Sequence, residues 1–238
     1  MNLKNKTVVI TGASDGIGKH IALELAKEKV KLVLIGRNEQ RLEKVKDQVI
    51  KLGSPQAQTY VCDLQDNSQI KLCVKKITQD FGSIQVLVNN AGIWQKRGQL
   101  EEIGDKQVQE IIQTNLLGTI FFTKYLLPTL REQAEAVIIN ISSRSGIKAQ
   151  AGQSVYTASK WAVRGFTKVL VEDLKDTNIK VAGVYQGGTN TDLFRKAGED
   201  WSDEKHSRFI PPKELAKIIV FMLSRPKTTW ISDVGVES

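Results

Sequence analysis

The apolar run Thr7-Val8-Val9-Ile10, passing directly into Thr11-Gly12-Ala13-Ser14-Asp15-Gly16-Ile17-Gly18, leaves this chain few folds to choose from. A short β-branched run reads as a buried strand, and Ile21, Leu23, Leu25 and Ala26 just beyond it read as a helix. Between them Gly12 permits a tight turn, Gly16 the close approach of a pyrophosphate, and Gly18 close helix–sheet contact. A strand, a glycine-rich turn and a helix start together aim free backbone N–H groups and the positive end of a helix dipole at a phosphate. The spacing is G-x3-G-x-G rather than the G-x-G-x-x-G of the general dinucleotide fingerprint. Taken alone, the turn favours phosphate binding, with simple chain reversal as the lesser reading.

The rest of the chain repeats the strand–helix alternation. Apolar runs near 7–11, 31–36, 57–62, 85–89, 135–142 and 179–186 predict strands buried on both faces, as parallel sheets require. Helical patterns fall near 16–28, 39–52, 66–80, 104–131 and 153–177. Another helix should start after Pro211-Pro212 and run to about Leu223, and a short terminal strand is expected near 229–235. The expected fold is α/β, a doubly wound Rossmann-type parallel sheet flanked by helices, with residues 1–238 as one domain. Its ligand site belongs beyond the carboxyl ends of the strands, where Gly12, Asp63, Asn90, Ser143 and Gly187 fall.

Composition bears mainly on exclusion. With 238 residues, 41% of them hydrophobic, the chain can furnish one substantial core. No apolar string approaches the ~20 residues of a membrane span, and Met1-Asn2-Leu3-Lys4-Asn5-Lys6 lacks a signal-peptide core, so no membrane association and a cytoplasmic location are expected. Cys62 and Cys73 lack metal-ligand spacing and read as reduced structural residues. The formal charge is +8, but the lysines are dispersed over predicted helices without an arginine run, which argues against nucleic acid as a partner. The only histidines, His20 and His206, have no nucleophile-elbow context, so a serine-hydrolase reading lacks its base. No cluster has metal spacing, so no metal is expected.

Tyr156-Thr-Ala-Ser-Lys160 carries the chemistry. Residues at i and i+4 share a helix face, which brings an ammonium near a phenol. At about 5 Å and an effective dielectric of ~20, that charge favours phenolate by ~3 kcal/mol, or roughly two pKa units. Such a shift moves tyrosine toward the working range of a general acid or base.

With these two motifs stand Cys62-Asp63-Leu64, Asn89-Asn90-Ala91-Gly92, Asn115, Ile141-Ser142-Ser143 and Gly187-Gly188-Thr189-Asn190-Thr191, in that order. In this array the chain resembles the short-chain dehydrogenase/reductase family over nearly its whole length. The resemblance implies an oxidoreductase moving a hydride between nicotinamide and a carbonyl or alcohol substrate, a ketone or aldehyde reductase that includes 3-oxoacyl and 3-hydroxy acid types. It implies a tetrad of Asn115, Ser143, Tyr156 and Lys160. In it Tyr156 is the proton donor, Lys160 tunes it and binds ribose hydroxyls, Ser143 stabilises developing alkoxide, and Asn115 holds a relay water. Ser142 and Ser145 compete with Ser143. Ser142 should point to the opposite side if the strand persists.

The same resemblance implies cofactor contacts from Gly12, Ser14, Asp15, Gly16, Ile17 and Gly18 in the loop, and from Arg37 and Asn38 after the second strand. Asp63 and Leu64 would meet adenine, Asn90, Ala91 and Gly92 the riboses, and Gly187, Thr189 and Thr191 the carboxamide. Gly36 stands where NAD-using relatives usually carry an acid, and Arg37 follows it, a pattern that implies NADP(H). One departure is Gln186, where relatives usually carry proline. Trp94, Gln153, Phe194 and Trp201 are candidate substrate walls under a lid from Asp192 to Arg208. Ile120, Phe121, Phe122, Trp161 and Val171 exceed what one sheet face can bury, and with the resemblance they imply a homodimer or homotetramer. A catalytically idle NADP(H)-binding sensor or scaffold is the alternative function.

Overall fold

The computed structural model describes residues 1–199 and 207–237; Trp201 and His206 lie outside them. The strands are β1 (Thr7–Thr11), β2 (Lys31–Gly36), β3 (Ala57–Val61), β4 (Val86–Asn89), β5 (Ala136–Ile141), β6 (Ile179–Gln186) and β7 (Asp233–Val236). They form one sheet in the order β3-β2-β1-β4-β5-β6-β7, with every neighbouring pair parallel. This is the doubly wound Rossmann-type arrangement. Strand order reverses between β1 and β4, which opens the crevice where such sheets bind ligands.

Helices cover both faces. Helix α1 (Gly16–Lys27), α2 (Glu39–Lys51) and α8 (Pro212–Leu223) bury Ile21, Leu25, Leu42, Leu215 and Ile219 against Val8 and Ile10. On the other face α3 (Asn67–Phe81), α5 (Gly118–Arg131) and α6 (Ser154–Leu174) bury Ile70, Ile77, Phe122, Leu126 and Leu174 against Val9. The alternation of Val8, Val9 and Ile10 between two cores is the period of two that a strand imposes. The short helices α4 (Asp105–Ile112) and α7 (Leu193–Lys196) flank the carboxyl-end crevice.

Three expectations change. Burial on both faces holds for β1, β4 and β5, but β3 lies at a sheet edge, opposite the edge strand β7, and is only partly covered. The helix expected over 104–131 is interrupted by a π-helical turn at Gln113–Leu117, between α4 and α5. Asn115 sits in that turn with its side chain tied to the Ile93 peptide. Phe122 is fully buried in the core and is not surplus apolar surface, whereas Trp161 is 44% and Val169 58% exposed on α6.

Candidate active site

A cavity of about 610 Å³ opens at the carboxyl ends of the strands. One wall is the turn after β1. Gly12 adopts φ +67, and a Cβ there would lie 2.9 Å from Ala91 Cα. A Cβ on Gly18 would lie 2.2 Å from the Gly12 carbonyl oxygen, so this glycine lets α1 close on its own loop rather than on the sheet. The loop is pinned from β4: Asn90 Nδ2 donates to the Thr11 and Gly12 carbonyls at 3.0 and 3.2 Å. The Thr11 hydroxyl accepts from Asn90 and Ala91 N–H at 3.0 and 3.1 Å.

Asp15 caps α1 by accepting from Gly16 N–H at 2.7 Å, and it pairs with Arg41 at 3.1 Å and Lys196 at 2.5 Å. Burial raises its pKa, but the Lys196 and Gly16 hydrogen bonds outweigh that and hold the carboxyl below its ordinary range. Ser14, Gly36 and Arg37 come together beside it. A Cβ on Gly36 would be 3.2 Å from Ser14 Oγ, so a larger side chain would crowd that hydroxyl. Arg37 is largely exposed, with Nη1 4.0 Å from Asp63 Oδ2. A guanidinium, a hydroxyl and no carboxylate at position 36 are a donor set suited to a phosphate monoester.

At the other end, α6 places Tyr156 and Lys160 one turn apart, both 4% exposed. Lys160 Nζ lies 5.8 Å from the Tyr156 ring centroid and donates to the Ile141 carbonyl at 3.2 Å. Burial pulls the Lys160 ammonium down to about 8. Burial also pushes the Tyr156 phenol up to about 12, offset in part by a hydrogen bond with Ser143. The expected depression of Tyr156 by Lys160 is not present in the protein alone. Trp94 packs tilted against the phenol ring at 4.4 Å between centroids, Tyr156 is buried, and desolvation of the charged form wins.

Ser143 is the serine at Tyr156. Ser142 turns to the α6 backbone, donating to the Lys160 carbonyl at 3.0 Å, and Ser145 faces Gln153. The Asn115 side chain grips the Ile93 peptide from both sides, accepting from its N–H at 2.8 Å and donating to its carbonyl at 3.1 Å. Its second N–H donates to Ser159 Oγ at 3.1 Å. Both donors are thus spent within the protein, and only an acceptor lone pair is spare for a water. Gly92 fits between Asn115 and Lys160, where a Cβ would lie 3.3 Å from Asn115 Oδ1 and 3.5 Å from Lys160 Nζ.

Of the residues singled out in the sequence, Gly12, Ser14, Asp15, Gly16, Ile17, Arg37, Asp63, Leu64, Asn90, Ala91, Gly92, Tyr156, Lys160 and Thr191 line the one cavity. Asn38 does not; it caps α2 through a 2.9 Å bond from Arg41 N–H. Gly18, Asn115 and Ser143 stand behind the lining rather than in it. Gly187 and Thr189 are engaged by Val236 and Ile210 beside it. Of the candidate walls, Trp94 and Phe194 pack edge to face at 4.7 Å, whereas Gln153 is fully buried just ahead of α6. Gln186 lines the cavity with its Oε1 buried and unpartnered, as is Trp94 Nε1. Sequence reasoning missed Thr11, Lys196 and Gln95; no local spacing distinguishes them. A smaller cavity of about 190 Å³ near Met1 and Trp230 brings none of these residues together.

Comparison with known proteins agrees with this arrangement. Residues 6–202 match the family described as short chain dehydrogenase. An uncharacterized oxidoreductase of Staphylococcus saprophyticus is 33% identical over 237 residues, covering 99% of this chain and 98% of its own. A metagenomic short-chain oxidoreductase solved in complex with NADP superposes with a TM-score of 0.86 at 27% identity, over 100% of this chain and 99% of that one. A 3-ketoacyl-(acyl-carrier-protein) reductase from Brucella melitensis, complexed with NADH, superposes with a TM-score of 0.88 at 25% identity, covering 99% and 97%.

Proposed function

This chain belongs to the short-chain dehydrogenase family, and on that premise we propose that it is an NADP(H)-dependent oxidoreductase interconverting a ketone or aldehyde with its alcohol. The observation that carries the reading is a single cavity with a phosphate-suited cluster of Ser14 and Arg37 at one end and Tyr156 with Lys160 at the other. The NADP-bound metagenomic relative supports the cofactor choice. The relative complexed with NADH makes selectivity a matter for this chain's own residues, above all Gly36 and Arg37.

The dinucleotide, when bound, supplies or accepts the hydride at nicotinamide C4. The glycine loop and the α1 N-terminus hold its pyrophosphate, and Ser14 and Arg37 hold the 2′-phosphate. Asp63 and Leu64 meet adenine, Asn90 to Gly92 flank the riboses, and Gly187, Thr189 and Thr191 meet the carboxamide. With a pKa of about 12, Tyr156 is protonated at neutral pH and ready to donate to a carbonyl oxygen. Ser143 donates a hydrogen bond to the same oxygen as its charge grows, where such a bond counts most. Lys160 keeps a positive charge beside the phenol up to about pH 8 and binds ribose hydroxyls. Asn115 fixes the Ile93 peptide that borders this end. The exposed Trp161 and Val169 on α6 suit pairing with a second copy as a homodimer or homotetramer, in the cytoplasm.

The test is a panel of aldehydes and ketones, including a 3-oxoacyl thioester, with NADPH oxidation followed at 340 nm. Carbonyl-dependent oxidation of NADPH is expected. NADPH that binds, by quenching of protein fluorescence, yet is consumed with no carbonyl in the panel would contradict the enzyme and favour a sensor.

A further inference from the structure

An α-helix leaves its first N–H groups without intrahelical partners, and α6 cannot solve this locally. Its N-cap residue, Gln153, makes no side-chain cap bond. The acceptor comes from 60 residues away. Gln95, fully buried in the loop after β4, receives Val155 and Tyr156 N–H on one amide oxygen, both at 2.9 Å. Its Nε2 donates to the Gly152 carbonyl at 3.2 Å. The two facing N–H donors fix which end of the amide is oxygen.

The neighbours of Gln95 hold the same site. Asn115 clamps the Ile93 peptide, and Trp94 lies on the Tyr156 ring. Trp94 and Gln95 therefore bind the loop that follows the turn of Asn90 to Gly92 to the ring and backbone of Tyr156, while Asn115 fixes Ile93 between them. We propose that Gln95 is a positioning residue: its amide oxygen is the N-terminal cap of α6 and sets where the Tyr156 hydroxyl stands relative to the cofactor-side turn. This rests on the reading of Tyr156 as proton donor. A displaced phenol would lose the alignment on which proton transfer depends while the distant phosphate contacts persist.

Gln95→Met keeps length and volume but removes the acceptor; Gln95→Glu, protonated in this buried site, keeps a carbonyl oxygen for the two N–H groups and an O–H for the Gly152 carbonyl. On the carbonyl that the wild type reduces, Gln95→Met should lower kcat about 10-fold or more, equivalent to about 1.4 kcal/mol of barrier. NADPH affinity by fluorescence should stay within about 3-fold, and Gln95→Glu should recover most of the lost kcat. A merely structural role would lower melting temperature without this kcat-specific loss and rescue. If Gln95→Met does not fold, Gln95→Asn, whose oxygen is drawn back by one methylene, should show the kcat loss instead. Wild-type kcat in a folded Met or Asn variant, or a Glu variant as slow as Met, overturns the proposal. Tyr156→Phe in the same assay separates the two failures: if it too keeps wild-type kcat, the role of Tyr156 is what has failed.

Discussion

The two ends of the cavity are built on different principles. The end at the glycine loop is made of backbone and of charged side chains that reach water: Arg37 is more than half exposed, and Asp15 shares its carboxylate with Arg41 and Lys196. The end at α6 is made of side chains buried almost completely, Asn115, Ser143, Tyr156 and Lys160, each with protein partners. Charges at the first end keep most of their hydration, so changes there should alter recognition modestly. Charges at the second end stand in a low-dielectric setting, where burial alone moves Tyr156 and Lys160 in opposite directions. Changes there should be large and should couple activity to stability.

The buried end offers the sharpest contrasts. Ser143→Ala should cost about 10²-fold or more in turnover, since it removes a donor aimed at developing charge. Ser142→Ala should cost far less turnover, because its hydroxyl is committed to the Lys160 carbonyl; its expected effect is a stability loss of about 1 kcal/mol. Equal turnover losses, measured at saturating substrate, would erase the distinction drawn between these neighbours.

Lys160 ranks next. Its folded pKa of about 8 lies below the ordinary 10.5, so below pH 8 both folded and unfolded states are charged and the burial cost is fully present. Between those values the folded state loses its proton first and the protein gains stability with pH. Lys160→Met should therefore melt above the wild type near pH 7, by a ceiling of about 3 kcal/mol. The lost Ile141 hydrogen bond takes back about 1 kcal/mol. The advantage should fade as pH passes from 8 to 10.5, although turnover is lost throughout. A variant less stable than wild type at pH 7 would mean that Lys160 is not held at such a cost.

The smallest effect belongs to the exposed end. We expect NADPH to bind about 10-fold tighter than NADH, about 1.4 kcal/mol, and Arg37→Asp to narrow or reverse that ratio without lowering the turnover of saturated enzyme. Equal dissociation constants for the two cofactors in the wild type would remove Arg37 from its role.

What the sequence made legible follows the same division. The glycine loop, the strand–helix alternation and the Tyr156–Lys160 spacing are local patterns, and local geometry settles them. The π turn around Asn115 was not legible, because it depends on a side chain reaching the Ile93 peptide across the site. Gln95 was silent for the same reason: its two acceptor bonds span 60 and 61 residues. The direction of the Tyr156 shift is not legible, because spacing gives a lysine's distance but not the burial that desolvates the phenol. The burial of Phe122 is not legible either, because helical periodicity does not say which of two adjacent phenylalanines meets the sheet.

The claim that recognition of the 2′-phosphate and proton transfer occupy separate ends is tested most directly by Tyr156→Phe, with NADPH affinity and turnover measured on the same preparation. The account predicts NADPH binding within about 3-fold of wild type and turnover reduced at least ~10²-fold, the usual worth of a positioned acid or base. A Tyr156→Phe protein that reduces the same carbonyl at the wild-type rate would contradict it.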